Sequence, residues 1–295
     1  MLPRFDYIRP KSLDDAVRVL SQEGIHGRIL AGGTDLLVQM RKGLLRPSHL
    51  VDIKSIPQIC DLSVGPEEEL IIGAGVTLEQ LKDWARREKV WSGLFAASGS
   101  IGSGQVRNRA TVVGNVCRAS PAGDMTPMLI ALDGKVQIQG PTGRRRVAIE
   151  EFITGPGQIG LAQGEMVESL RIPRHRIPTA TAYLKLGARR AMDTAIASVA
   201  VGISFDEPSG KITSIRIVLG AVGPKPLRAR EAEEMLMRHS LTPAVLEKAA
   251  HLAQDAAMPI TDLRATADYR SRMTKVLTKR AIEQAWKEGI EGGRV

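Results

Sequence analysis

Three strand-like runs standing in a row, with three helical runs after them, limit most what this chain can become. Ala182 to Leu186, Ala195 to Phe205 and Ile212 to Leu219 are apolar and rich in β-branched residues, so they read as strands. Asp206-Glu207-Pro208-Ser209-Gly210 joins the last two as a turn. Arg228 to Arg238 reads as a helix. A second helix, capped by Thr242 with Pro243 at its first position, runs to about Ala257, and a third runs from Ala265 to Lys287. Strands gathered before helices, rather than alternating with them, predict an α+β unit. It begins near Ile177, which divides the chain into 1–177 and 178–295.

The part before Ile177 mixes short elements. Ser12 reads as an N-cap, Leu13 to Leu20 as a helical stripe, and Gly24 as its stop. Arg28 to Ala31 and His49 to Ile53 read as strands. Ile59 to Val64 and Leu70 to Gly73 form a hairpin around Gly65-Pro66, and Thr77 caps a helix from Leu78 to Glu88. Pro127 to Leu132 is a short helix, and Val136 to Gln139 pairs with Arg144 to Ile149. Met166 to Ile172 is a strand ended by Pro173. Gly73-Ala74-Gly75 sits where a dinucleotide fingerprint would, but Leu78 replaces the third glycine and no βαβ unit surrounds it, so it reads as a structural turn.

Two turns have the chemistry of an anion site. Arg28 to Ala31 runs into Gly32-Gly33-Thr34-Asp35, and Leu36, Leu37 and Met40 continue as a helical turn. A strand that ends in glycines before a helix aims backbone N–H groups at an anion. The second turn is Gln105 to Asp124, introduced by Gly99, Gly102 and Gly104 and carrying no helical or alternating period. It holds Thr111, Gly114, Asn115, Ser120 and Asp124, with Arg107, Arg109 and Arg118 around them. Small donors and close backbone suit one wall of a site for a large phosphate-bearing ligand. A glycine-rich surface loop with solvated arginines is the plainer reading of the same residues.

Composition narrows the alternatives. The net charge of +9 comes from dispersed basic residues, the longest run being Arg144-Arg145-Arg146, which reads as a solvated face rather than a nucleic-acid footprint. Aromatics are 3% of the chain, too few for a base-stacking platform. Two cysteines, Cys60 and Cys117, cannot supply the four thiolates of a typical iron–sulfur cluster and suit a reducing cytoplasm. The N-terminus lacks the apolar core of a signal peptide, and no apolar run approaches the ~18 residues of a membrane span.

Ala31-Gly32-Gly33-Thr34-Asp35-Leu36 resembles the first flavin loop of the FAD-binding subunits of molybdenum hydroxylases, commonly Ala-Gly-Gly-x-x-Leu. Thr111-Val112-Val113-Gly114-Asn115, followed by Ser120-Pro121 and Asp124, resembles their second loop, Thr-x-Gly-Gly-Asn then Ser-Pro and Asp. The likeness extends from Phe5-Asp6-Tyr7 through Lys185, Arg189 and Asp193 to Lys279-Arg280-Ala281. Carbon monoxide dehydrogenase medium subunits and xanthine dehydrogenase FAD-binding subunits belong to this family. One position departs from it: Val113 stands where the family has its first glycine, and valine is poor where φ is positive or a phosphate comes close.

The resemblance implies an α+β fold. Its first part is a two-subdomain FAD-binding domain of the vanillyl-alcohol-oxidase (PCMH) type, about 1–55 and 56–177, and its second a small antiparallel sheet with a three-helix bundle. FAD would lie extended between the subdomains, its pyrophosphate against Ala31 to Asp35 and Thr111 to Asn115. Asp124 would hold the adenosine end, unless it is a plain N-cap. Lys185 would sit near the flavin ring, unless it is solvated. Leu30, Leu36, Ile101, Cys117 and Val167 would line the pocket or, equally, fill the core.

The implied activity is electron transfer. FAD on this chain would receive electrons from [2Fe–2S] clusters of a small partner chain, which draws them from a molybdopterin cofactor on a large one. It would pass them to an external acceptor such as NAD or a quinone, in a dimer of heterotrimers. No catalytic side chain is required. Two rivals stand beside this reading: a stand-alone FAD-dependent oxidoreductase of related fold, and a flavin-free interaction subunit that lost binding through Val113.

Overall fold

The computed structural model describes residues 2–23, 26–173, 179–189, 192–206 and 211–292. The helix stop at Gly24, the boundary near Ile177 and most of the turn 206–210 lie outside them.

The first sheet is parallel, ordered β1-β3-β2. It is made by β1 (Asp6–Ile8), β2 (Gly27–Leu30) and β3 (His49–Asp52), with α1 (Leu13–Glu23) crossing between β1 and β2 and α2 (Leu36–Arg41) following β2. α1 forms because Leu13, Ala16, Val17 and Leu20 line one buried face, and Ser12 Oγ accepts the Asp15 N–H at 3.1 Å.

The second sheet is antiparallel, β4-β5-β10-β6-β7. Its strands are β4 (Leu62–Val64), β5 (Glu69–Gly73), β6 (Lys135–Gly140), β7 (Gly143–Ala148) and, after α8 (Ile149–Phe152) and the small hairpin β8 (Ile153–Gly155) and β9 (Gln158–Ile159), β10 (Met166–Pro173). The edge strand β7 exposes Arg144, Arg145 and Arg146, which discourages further pairing. Between β5 and β6 lie α3 (Leu78–Ala85), α4 (Ser92–Gly99), α5 (Gly104–Arg107), α6 (Val112–Arg118) and α7 (Met125–Ala131).

The third sheet, β11-β12-β13-β14, is antiparallel. It comprises β11 (Thr179–Leu186), β12 (Ala197–Phe205), β13 (Ile212–Gly220) and β14 (Leu227–Arg228), and the helices α9 (Arg230–Arg238), α10 (Pro243–Asp255) and α11 (Ala267–Gly292) follow. Every residue of β12 is buried because helices cover both of its faces. α7 comes so close that a Cβ on Gly202 would lie 2.7 Å from the Ala131 carbonyl oxygen, and α11 so close that one on Gly289 would lie 2.1 Å from the Phe205 ring.

Several expectations need correction. The segment before β4 is a 3-10 turn, Pro57–Cys60, so the hairpin starts at Leu62 rather than Ile59. α3 ends at Ala85, not Glu88. Arg228 belongs to a fourth strand, not to the following helix, which makes the expected three-stranded sheet four-stranded. The stretch 105–124, aperiodic in sequence, contains two short helices, set by the caps Ser103 and Thr111 rather than by an apolar stripe.

Candidate functional site

The two glycine-bearing turns touch. A Cβ on Gly32 would lie 2.1 Å from the carbonyl oxygen of Arg109, so only glycine lets the first turn rest on the second. Gly33 adopts φ +73, the left-handed region that turns the chain from β2 into α2. Arg118 Nε meets Asp35 Oδ2 at 2.7 Å and joins the turns from the other side. Among the described hydrogen bonds, none has the N–H of Gly32, Gly33, Thr34 or Asp35 as donor. Four consecutive free donors make the kind of concavity that suits phosphate oxygens. Lys54 holds this turn from behind: its Nζ donates to the Ala31 carbonyl at 3.2 Å and pairs with Asp52 at 2.6 Å, while Tyr7 donates to the same carboxylate.

The second turn is fixed by caps and cross-links. Thr111 Oγ1 accepts the Gly114 N–H at 3.0 Å and starts α6. Val112 N–H donates to Val76 O and Leu78 N–H to Ala110 O, which pins the turn to the β5–α3 connection. Gly73 is indeed structural there, since a Cβ would lie 2.2 Å from Ile59 O. Val113 lies inside α6 with its side chain buried in the core, and no positive φ is needed at that position. Asn115 Oδ1 is buried without a hydrogen-bond partner. A buried polar atom left unpaired is costly, and a ligand donor would relieve it. Cys117 is half-buried against the core, and burial pushes its thiol up to about 12.

A buried polar cluster lies beyond the turns. Tyr183 O–H donates to Asp124 Oδ1 at 2.6 Å; Lys185 Nζ donates to Asp124 Oδ2 at 2.9 Å and to Ser100 O at 3.3 Å. Burial pushes the Asp124 carboxyl up, with the Lys185 ammonium pulling back. Burial, then the neighbouring Asp124, pushes the Tyr183 hydroxyl well above its ordinary value. Asp124 stands at the N-cap position of α7, but its backbone is already helical, φ −78 and ψ −33, and its side chain makes no capping hydrogen bond. Asp124 and Lys185, for which the resemblance implies roles at the adenosine end and near the flavin ring, lie 2.9 Å apart and form one cluster.

The structure thus brings Ala31 to Asp35 against the residues that lead into Thr111 to Asn115. Separately, it gathers Ile101, through its neighbour Ser100, with Asp124 and Lys185. Leu30 borders the first turn, its Cδ1 3.0 Å from where a Gly33 Cβ would lie, and Leu36 opens α2 half-buried. Val167 is a core residue of β10. Sequence reasoning missed Tyr183, Lys54 and the Arg118–Asp35 pair. Tyr183 had one readable signal: two residues from Lys185 on a strand, it shares that residue's face.

Elsewhere, a cavity of about 330 Å³ lies beside β13 and α9, lined by Arg216, Arg228, Glu233 and Met237 among others. Arg216 pairs with Asp133 and Arg228 with Glu233, and none of the expected site residues borders it.

Comparison with known proteins adds a second line of evidence. The family model for the FAD binding domain in molybdopterin dehydrogenase matches residues 3–175, and that for the CO dehydrogenase flavoprotein C-terminal domain matches residues 182–285. The carbon monoxide dehydrogenase medium chain of Hydrogenophaga pseudoflava is 33% identical over 287 residues, 96% of this chain and 98% of that one. The xanthine dehydrogenase FAD-binding subunit of Escherichia coli O157:H7 is 29% identical over 280 residues, 95% of each. A chain of the reconstituted CO dehydrogenase from Oligotropha carboxidovorans superposes with a TM-score of 0.92 at 33% identity, over 98% of this chain and all of that one, 100%.

Proposed function

This chain belongs to the FAD-binding subunit family of the molybdopterin dehydrogenases, and from that membership we propose that it is the flavin-carrying electron-transfer subunit of a multi-chain molybdenum hydroxylase. The observation that carries this reading is the contact of Gly32 with Arg109: two turns far apart in sequence close on one another, and the backbone donors of the first, Gly32 to Asp35, are free. The residues fit the cofactor. Four unengaged N–H groups and the unpaired Asn115 Oδ1 are what the diphosphate and sugar of a dinucleotide require.

Ala31 to Asp35 and Thr111 to Asn115 hold the diphosphate between them. Lys54 and the Arg118–Asp35 pair keep the first turn in position. Asp124, Tyr183 and Lys185 act at one end of the nucleotide as a unit, where Asp124 keeps the ammonium oriented. Leu30, Ile101 and Cys117 supply apolar lining, with Val167 in the core behind them. Bound there, the flavin supplies the redox chemistry between [2Fe–2S] clusters of a small partner chain and an external acceptor such as NAD or a quinone. Substrate oxidation occurs at a molybdopterin cofactor on a large chain, within a dimer of heterotrimers. The FAD-binding part is 1–177, in subdomains of about 1–55 and 56–177, and 178–295 follows it. The assembly works in the cytoplasm, and no described helix is long and apolar enough to cross a membrane.

The test is Gly33→Val combined with Gly114→Val. The first forces a branched residue into the left-handed region, and the second sets a Cβ 2.7 Å from Thr111 Oγ1. The expected product is folded by circular dichroism and nearly free of flavin absorbance near ~450 nm. Full FAD occupancy would place the cofactor elsewhere.

A further inference from the structure

The face of α2 turned away from the core carries both apolar and cationic side chains that the fold leaves unused. Leu36 and Met40 face inward, whereas Leu37 and Val38 are 36% and 47% exposed. Arg41 and Lys42 follow at helical spacing from them, so the four share one surface. The helix ends in a Schellman motif: Gly43 takes φ +74, its N–H donates to Met40 O, and Leu44 N–H donates to Gln39 O. In that motif the residue after the glycine ordinarily packs back on the helix. Here Leu44 is 69% exposed, held in place by the backbone and turned outward. Among the described residues, Arg41, Lys42 and Arg46 have no ion-pair partner. The patch also adjoins the first turn, because Leu37 Cδ1 lies 3.3 Å from where a Gly33 Cβ would be.

We propose that this surface docks an acidic, apolar-centred face of the redox chain that exchanges electrons with the flavin. The inference rests on the flavin-subunit reading above. Charge complementarity selects the occupant: three unpaired cations around an apolar centre favour carboxylates at the rim and aliphatic groups in the middle. A lipid surface fits less well. A helix of six residues showing two apolar side chains buries too little to hold a membrane. Docking beside Gly33 would place the partner against the segment that carries the proposed nucleotide turn.

The complex is purified through a tag on this chain, as wild type, as Val38→Glu with Leu44→Glu, and as Arg41→Glu with Lys42→Glu. Lys248→Glu on α10 is the control for added negative charge. Recovery of the iron–sulfur chain, identified by its visible absorbance and mass, is read against the FAD content and circular dichroism of the same sample. Both double variants should lower recovery of that chain about tenfold, with folded flavin-containing protein retained and Lys248→Glu unchanged. Undiminished recovery with either double variant would overturn the proposal, as would a wild-type preparation that recovers no such chain. Vesicles of phosphatidylglycerol provide the second arm. Binding by wild type that is lost in both double variants, with pairing intact, assigns the patch to a membrane and overturns the proposal. A colourless chain whose pairing still depends on the patch sinks the flavin reading while supporting the docking surface.

Discussion

Val113 departs from the glycine that the family resemblance leads one to expect, and its surroundings give it a structural role. The residue is the second of α6, buried, with its side chain packed in the core rather than directed at the turn. Restoring glycine would empty a packed site and weaken the first turn of a short helix. Val113→Gly should therefore cost about 2–3 kcal/mol of stability and leave FAD content unchanged. Chemical denaturation and flavin absorbance check the two halves of that prediction, and a gain in FAD would show that valine does obstruct the site. The cysteines allow a second test at this scale. Cys60 is exposed, whereas burial pushes the Cys117 thiol up to about 12. Only thiolates react readily with disulfide reagents. One thiol should titrate quickly in the native protein and vanish in Cys60→Ser, with the other released only on unfolding. Two fast thiols would contradict the packing of α6.

Between elements, the α10–α11 contact has a measurable signature. Glu247 on α10 meets Lys275 Nζ at 2.6 Å and Lys279 Nζ at 3.1 Å on α11. Hydrogen bonds from these two ammonium groups hold its carboxyl down to about 2, from an ordinary 4.5. A lowered carboxylate stabilises the fold fully above its unfolded value and loses that contribution as pH falls through the folded one. Carboxyl NMR should give Glu247 a midpoint near 2 that returns toward 4.5 in Lys275→Ala with Lys279→Ala. A wild-type midpoint near 4.5 would mean the clamp is absent in solution. The pair is exposed, so its effect on total stability is small. Elements marked by strong local signals, such as α1 with Ser12 and α10 with Thr242-Pro243, were legible in sequence. β14 was not, because two residues carry no period and pair only through β13. α5 and α6 were hidden because caps, not stripes, define them. The glycines of both turns announced a close approach without saying to what. That Gly32 meets Arg109, and that Asp124 holds both Tyr183 and Lys185, are long-range contacts no local pattern encodes.

At the scale of the whole molecule, two family models divide the chain, yet its packing crosses the divide. Tyr183, Ala200 and Val218 of the third sheet belong to the same core cluster as α1, β10 and α7. Thr181 is buried on β11 and binds α4 and the turn before it: its Oγ1 accepts the Gly93 N–H at 2.9 Å and donates to Val90 O at 2.9 Å. A Cβ on Gly93 would lie 2.5 Å from Met128 Sδ, so α4, α7 and β11 are interlocked. Elements that share a core unfold together. Trp286, packed on Phe205 with ring centroids 5.6 Å apart, reports the C-terminal part, and Trp84 and Trp91 report the other. In Trp84→Phe with Trp91→Phe, the remaining fluorescence transition should coincide with that of far-ultraviolet circular dichroism. Free FAD at about 100 times its dissociation constant adds ~2.7 kcal/mol to the folded state. For a chain of this size that is a rise of about 5 °C in melting temperature, and Trp286 should register it in full although the proposed site lies mainly before residue 125. A Trp286 transition indifferent to FAD, or one separated from the circular dichroism transition, would show that the shared core does not couple the two parts.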